Sequence, residues 1–88
     1  MAEPKAYRPG FSDRALAYFV DLPRKRQRVL LDRSHELARD PFVPPDFSSI
    51  DADGRTISHT VVDDFSFGYW VDHPAKLVMI TEIDNADS

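Results

Sequence analysis

The sequence contains no cysteine, so it has neither a disulfide framework nor a thiolate that would bind a metal or act as a nucleophile. A chain of 88 residues without these supports is expected to fold as one small domain, residues 1–88, held together by packing alone. Long apolar runs are also lacking: none approaches the ~20 residues that cross a bilayer, and Met1–Lys5 has no signal-peptide apolar segment. We therefore expect a cytoplasmic protein with no membrane association, and no motif indicates a cofactor.

Charge is distributed unevenly along the chain. Residues 1–39 hold 9 Lys and Arg against 5 Asp and Glu, whereas residues 40–88 hold 2 against 10. The cations concentrate in one basic run with no interleaved aromatic residue, so a single-strand nucleic-acid binder is disfavoured. We interpret the run first as a solvated helix face, and second as a surface for an acidic protein or a nucleic acid. Its members are Arg24, Lys25, Arg26, Arg28, Arg33 and Arg39.

Most of the apolar residues lie in the second half of the chain, where the pattern predicts a meander of three antiparallel strands. The strands are Arg55–Val62, Phe65–Val71 and Leu77–Ile83, and Asp53-Gly54 forms a tight turn before the first of them. In the second strand, alternate residues share a face. The predicted core face carries Phe65, Phe67, Tyr69 and Val71, and the predicted open face carries Ser66, Gly68 and Trp70.

Two helices are predicted before this meander. The first spans about Asp13–Asp21 after an N-cap at Ser12 or Asp13, and the second spans Pro23–Arg39, because Asp40-Pro41 cannot continue a helix. Residues expected to be buried recur at helical spacing. They are Ala15, Leu16, Phe19 and Val20 in the first helix, and Gln27, Leu30, Leu31, Ser34, Leu37 and Ala38 in the second.

The remaining segments connect or border these elements. Lys5–Arg8 is a candidate edge strand, Ile50 is a weak start of another strand, and Asp84–Ser88 is a polar tail. The result is an α+β domain, with two N-terminal helices packed on one face of an antiparallel sheet of three to four strands. The proline-rich connection before the meander is expected to place apolar residues against the core, namely Phe42, Val43 or Phe47.

Histidines and acids around the predicted turns form one candidate metal cluster. Their spacing matches no known metal site, and turn chemistry or cross-strand packing explains each residue equally well, so we predict no metal. His35, on the polar side of the second helix, is expected to be solvated. The cluster residues are His59, His73, Asp63, Asp64 and Asp72.

Three phrases occur in an order typical of a known family: Leu37–Phe42, Asp53–Arg55 and Tyr69–His73. With helices preceding a sheet, they resemble the RelE/ParE superfamily of toxins from toxin–antitoxin systems, over roughly residues 5–84. In that family a leucine-to-proline step ends the helical half, a Gly-Arg pair opens the sheet, and a Tyr-Trp strand precedes the last strand. The resemblance implies a RelE/ParE-like fold for the whole chain.

The resemblance also implies a function and partners. Toxins of the RelE branch cleave messenger RNA on the ribosome, toxins of the ParE branch inhibit DNA gyrase, and both are neutralised by a cognate antitoxin. Growth inhibition and plasmid stabilisation are the expected roles, and the ribosome with its message or DNA gyrase is the expected target. Whether the chain forms a homodimer stays open.

Site residues follow from the resemblance position by position. Arg55 matches the arginine at the sheet entrance and is the implied catalytic residue, because it would steady the scissile phosphate. At the other catalytic positions this chain differs from the family: Ser66 replaces an arginine, and residues 84–86 replace a histidine or arginine and a tyrosine. Two functions therefore stay open: an active toxin, which in the RelE branch is an mRNA endoribonuclease, and a catalytically silent protein-binding module on the same fold.

Partner binding is predicted at two places. Trp70 is a large ring on an open sheet face beside Gly68, and such rings anchor protein interfaces. Arg24 and Arg28, in the basic run, are the predicted contacts for an acidic antitoxin peptide.

Overall fold

A computed structural model describes residues 7–86 as two helices and five strands. The helices are α1 (Asp13–Val20) and α2 (Arg24–Arg39). The strands are β1 (Arg8–Phe11), β2 (Phe47–Ile50), β3 (Thr56–Val62), β4 (Phe65–Asp72) and β5 (Leu77–Asn85). No helix among the described residues has the length and hydropathy needed to span a bilayer.

The five strands form one mixed sheet in the order β1-β5-β4-β3-β2. The predicted meander is β3, β4 and β5, which pair antiparallel, but β1 pairs parallel with β5. The expected antiparallel sheet of three to four strands is therefore wrong in strand number and direction. β1 also precedes the helices, so the sheet does not lie wholly after them in the chain. The α+β class with two helices is confirmed.

Both edge strands differ from the expectation. The first edge strand is Arg8–Phe11 rather than Lys5–Arg8, of which residues 5 and 6 lie outside the described part. The second edge strand, Phe47–Ile50, falls within the predicted connection, where only Ile50 gave a sign of strand. β5 runs on through Asp84 and Asn85, where a polar tail was predicted; residues 87 and 88 are not described.

The helices begin and end where capping chemistry places them. Ser12 is the N-cap of α1, and its Oγ accepts a hydrogen bond from the backbone N–H of Ala15 at 3.2 Å. The Ser12 N–H and Oγ also donate to β5 carbonyls, which fixes the start of α1 against the sheet. Pro23 immediately precedes α2, and the helix ends at Arg39 before Asp40-Pro41.

The core lies between the helices and the central strands. Phe65 and Phe67 of β4 and Val78 and Ile80 of β5 are fully buried, beneath Leu30 of α2. The predicted stripe of α2 is buried at Leu30, Ser34, Leu37 and Ala38.

Several residues expected in the core are exposed. In α1 only Ala15 is fully buried, because the short helix turns Leu16 and Val20 outward, and Leu31 of α2 is also exposed. The proline-rich connection after α2 runs outside the core, so its apolar side chains are not buried beneath the sheet. Phe42, Val43 and Phe47 are therefore 68%, 53% and 60% exposed.

Candidate functional site

The side of the sheet that faces away from the helices, here called the open face, carries the candidate site. Cross-strand pairs set its composition: His59 lies opposite both Phe47 and Gly68, Gly68 lies opposite Glu82, and Trp70 lies opposite Met79. Opposed residues share a face of the sheet. The open face thus places one glycine between His59 of β3 and Glu82 of β5.

Arg55 and Trp70, predicted separately as a catalytic residue and a partner anchor, are in contact on this face. The guanidinium carbon of Arg55 lies 4.2 Å from the centroid of the Trp70 ring, a cation–π arrangement. Arg55 remains exposed, while Trp70 is half-buried. The open-face position predicted for Trp70 is therefore correct, but a cation already covers its ring.

A tight turn before β3 fixes the backbone of Arg55. Oδ1 of Asp51 accepts hydrogen bonds from the N–H groups of Asp53 and Arg55 at 2.9 and 2.8 Å. Gly54 has a φ of 80°, which an L side chain rarely adopts. The predicted Asp-Gly turn is confirmed, and it presents Arg55 to the open face.

His59 is held by the unpredicted strand β2. Its ring stacks on Phe47 with centroids 4.4 Å apart and an interplanar angle of 4°. Its Nε2 lies 2.7 Å from Oγ of Ser49. The sequence pointed to His59 only as a candidate metal ligand, because both of its actual partners belong to β2, a strand that the pattern did not reveal.

A β-bulge places Glu82 near this histidine. The pairing of β4 with β5 shifts between Gly68 and Tyr69, so Thr81 is an extra residue, and its Oγ1 donates to the carbonyl of Gly68 at 3.3 Å. A Cβ atom built at Gly68 would lie 3.1 Å from Oε2 of Glu82 and 3.4 Å from Cε1 of His59. The absence of a side chain at Gly68 therefore lets the two functional groups approach each other.

Arg14 supplies a second cation to the open face. β1 ends at Phe11, opposite Ile80, so the edge of β5 beyond that point is free of β1. Arg14, in the first turn of α1, reaches Glu82 there, with Nη1 3.2 Å from Oε1. Arg14 and Glu82 border a groove of about 360 Å³. Its lining residues are Arg14, Ser49, Ile50, Asp51, Ile57, Thr81 and Glu82.

The basic run divides into two sets. Arg26 pairs with Asp64 at 3.0 Å, and Arg33 pairs with Asp63 at 2.9 Å, so these cations attach α2 to the turn between β3 and β4. In the described part of the chain, Arg24 and Arg28 are exposed and form no ion pair. They lie on a helix that packs against the opposite face of the sheet from Trp70, so the three predicted partner contacts are not brought together.

The candidate metal cluster is not assembled. His73 lies on the turn between β4 and β5, where the hydroxyl of Tyr7 is 2.7 Å from its Nδ1 and Phe42 stacks on its ring. His59 has the separate partners described above. Among residues 7–86, no three His, Asp or Glu side chains are grouped as metal ligands.

Two solved structures share this architecture. A chain in the crystal structure of the toxin–antitoxin complex RelBE2 from Mycobacterium tuberculosis matches with a TM-score of 0.73 at 15% identity, over 94% of each chain. A chain in the archaeal RelE–RelB complex from Pyrococcus horikoshii OT3 matches with a TM-score of 0.65 at 18% identity, over 92% of this chain and 96% of that one. No protein-family model and no curated protein matches the sequence. The chain therefore has a RelE-like fold, as its motifs indicated.

Proposed function

We propose that this chain is the toxin of a toxin–antitoxin pair, that it acts through the open face, and that a protein antitoxin neutralises it. The observation that carries the proposal is the structural likeness, which covers more than nine-tenths of this chain and of both matched chains. One of those chains comes from a toxin–antitoxin complex, and the other comes from a RelE–RelB complex. Since a fold alone does not determine an activity, the groups on the open face supply the second support.

The open face carries the groups that metal-free cleavage of RNA requires. The carboxylate of Glu82 would accept the proton of a ribose 2′-hydroxyl, whose oxygen then attacks the adjacent phosphorus. Protonated His59 would donate a proton to the departing 5′-oxygen, leaving a 2′,3′-cyclic phosphate and a 5′-hydroxyl. Arg55 and Arg14 would stabilise the charge that develops on the phosphate.

One observation favours the second candidate, a catalytically silent binding module. Arg55 stacks on Trp70, and Arg14 is paired with Glu82, so each of these cations already has a partner. A phosphate would have to draw Arg55 from the indole and Arg14 from the carboxylate. A protein ligand that covers the open face needs neither change.

Growth of a bacterial host tests the toxin assignment. Induction of this chain alone is expected to arrest growth, and co-expression of the small protein encoded beside it is expected to restore growth. Unimpaired growth at verified soluble expression would contradict the assignment and favour the silent module.

The chemistry is tested by mapping cuts in ribosome-bound message. Glu82→Gln is expected to abolish cleavage, because it removes the proton acceptor while keeping the size of the side chain. Asp32→Asn removes the charge of an exposed acid on α2, away from the open face, so it is the control and should cleave normally. Growth arrest without any cleavage, together with loss of gyrase supercoiling activity, would instead assign the toxin to gyrase.

A further inference from the structure

The helices leave part of their own side of the sheet uncovered. α1 packs against β5, and α2 packs against β1 and β5, so β3 lies beyond the helical layer. Between the C-terminal half of α2 and β3 there is a cavity of about 160 Å³, here called the α2–β3 pocket. Its lining residues are Glu36, Leu37, Asp40, Val43, Thr60, Val62 and Tyr69.

The size and lining of the α2–β3 pocket fit one apolar side chain. Small-molecule sites are usually about 300 to 1,000 Å³, so this cavity is too small for a cofactor or a drug-sized ligand. The hydroxyls of Thr60 and Tyr69 lie 3.2 Å apart and satisfy each other. The remaining walls are mainly aliphatic, with Val43 half exposed beside the opening. Burial of a partner's side chain here would remove this apolar surface from water.

The surroundings of the pocket are negative. Glu36 and Asp40 are exposed, and among the described residues Asp40 forms no ion pair. α2 ends at Arg39, so the carbonyls of its last turn, which have no acceptor role within the helix, add a partial negative charge at the same place. Glu36 forms an ion pair with Arg33, but Arg33 also pairs with Asp63, so it neutralises Glu36 only in part. Arg39 is not among the lining residues of the pocket. A cation on the partner is therefore favoured.

We propose that the α2–β3 pocket binds a segment of a partner protein that presents one large apolar side chain flanked by lysine or arginine. The inference rests on the proposed function only in assigning that segment to the antitoxin. A second copy of this chain is a poorer occupant, because its most exposed large apolar side chains lie within two residues of an aspartate. These side chains are Phe42, Phe47 and Ile50.

The probe is a short synthetic peptide with one central leucine flanked by lysines, titrated into the isotope-labelled full chain and followed by amide chemical shifts. We expect saturable shifts confined to the segments that line the pocket, residues 36–43, 60–62 and 69. Replacing the leucine with alanine should weaken binding by about tenfold or more, and replacing the lysines with glutamates should abolish it.

Two valines of nearly equal exposure provide a matched pair of variants. Val43→Ser removes apolar lining and should weaken peptide binding by roughly fivefold, whereas Val61→Ser, on the open face, should leave it unchanged; the two valines are 53% and 51% exposed. Both variants are expected to fold, since neither valine is buried.

Equal binding of the lysine and glutamate peptides, an unaltered affinity of Val43→Ser, shifts on the open face, or no saturable shift would each overturn the inference. The titration does not depend on toxicity, so it can fail while induction still arrests growth. Growth arrest can likewise fail while the peptide still binds.

Discussion

Arg55 and Trp70 form one structural unit, since the guanidinium of Arg55 lies 4.2 Å from the centre of the indole ring. The sequence assigned them to different roles, catalysis and partner binding. Their contact makes the roles interdependent: an anion that draws Arg55 away exposes the indole, and a partner that stacks on the indole must displace Arg55. The ring also lies opposite Met79, so the open face has an apolar floor beneath the cation.

Removing Arg55 should uncover the indole. Trp70 is the only tryptophan of the chain, so fluorescence excited selectively at tryptophan reports on the surroundings of this one ring. Arg55→Ala is expected to increase acrylamide quenching and to lower the free energy of unfolding by about 0.5 to 1 kcal/mol, the usual contribution of an exposed cation–π pair. Arg8→Ala, which removes another exposed arginine, is the control and should change neither quantity. Identical quenching in wild type and Arg55→Ala would show that the stack does not persist in solution.

Trp70 should contribute less to stability than a core ring does. Phe67 is fully buried, and Phe67→Ala is expected to lower the free energy of unfolding by about 3 to 5 kcal/mol. Trp70 is half-buried, so Trp70→Ala should cost about 2 kcal/mol and still leave a folded protein for binding studies. Urea denaturation measures both values. A loss at Trp70 equal to that at Phe67 would place the indole in the core and remove it as a binding residue.

Gly68→Ala should separate His59 from Glu82 with little effect on the fold. The new Cβ would lie 3.1 Å from Oε2 and 3.3 Å from Cβ of Glu82, so the flexible carboxylate and, to a smaller extent, the backbone of β5 must move by a few tenths of an ångström. We expect growth arrest to weaken while the melting temperature changes by less than about 5 °C. Growth curves and circular dichroism test this together. Full arrest by the variant would show that the spacing across Gly68 is not required.

The ion pair between Arg33 and Asp63 should contribute modestly. The two side chains are 28% and 62% exposed, so solvent screens their attraction. A double-mutant cycle with Arg33→Met and Asp63→Asn is expected to give a coupling energy of about 0.5 to 1 kcal/mol that falls with added salt. A coupling energy of zero, or one that does not depend on salt, would mean that the charges of this pair do not help to attach α2 to the β3–β4 turn.

Local chemistry made the helices and the central strands predictable. Ser12, Pro23 and Asp40-Pro41 mark the helix ends, and alternation from Phe65 to Tyr69 marks the buried face of β4. The edge strands were harder because β2 is a four-residue strand, exposed at every position, within a proline-rich connection. A fully exposed strand has no hydrophobic period to detect.

The candidate site was only partly predictable, because its geometry depends on how the strands pair. Arg55 and Trp70 were identified individually, but their contact needs the register of the sheet. The positions of His59 and Glu82 depend on β2 and on the bulge at Thr81, and both are set by pairing between strands. The salt bridges of Arg26 and Arg33 were missed for a similar reason, since their partners Asp63 and Asp64 are distant in sequence.

The most direct test is growth of a bacterial host that expresses the wild type, His59→Gln or Arg24→Ala at matched soluble levels. Glutamine keeps a hydrogen-bonding side chain beside Ser49 but cannot act as the general acid. Arg24 lies on the opposite side of the sheet and serves as the control. Arrest by the wild type and by Arg24→Ala, with growth restored in His59→Gln, is the predicted result. Equal arrest by all three proteins, or arrest by none, would contradict a toxin that acts through the open face.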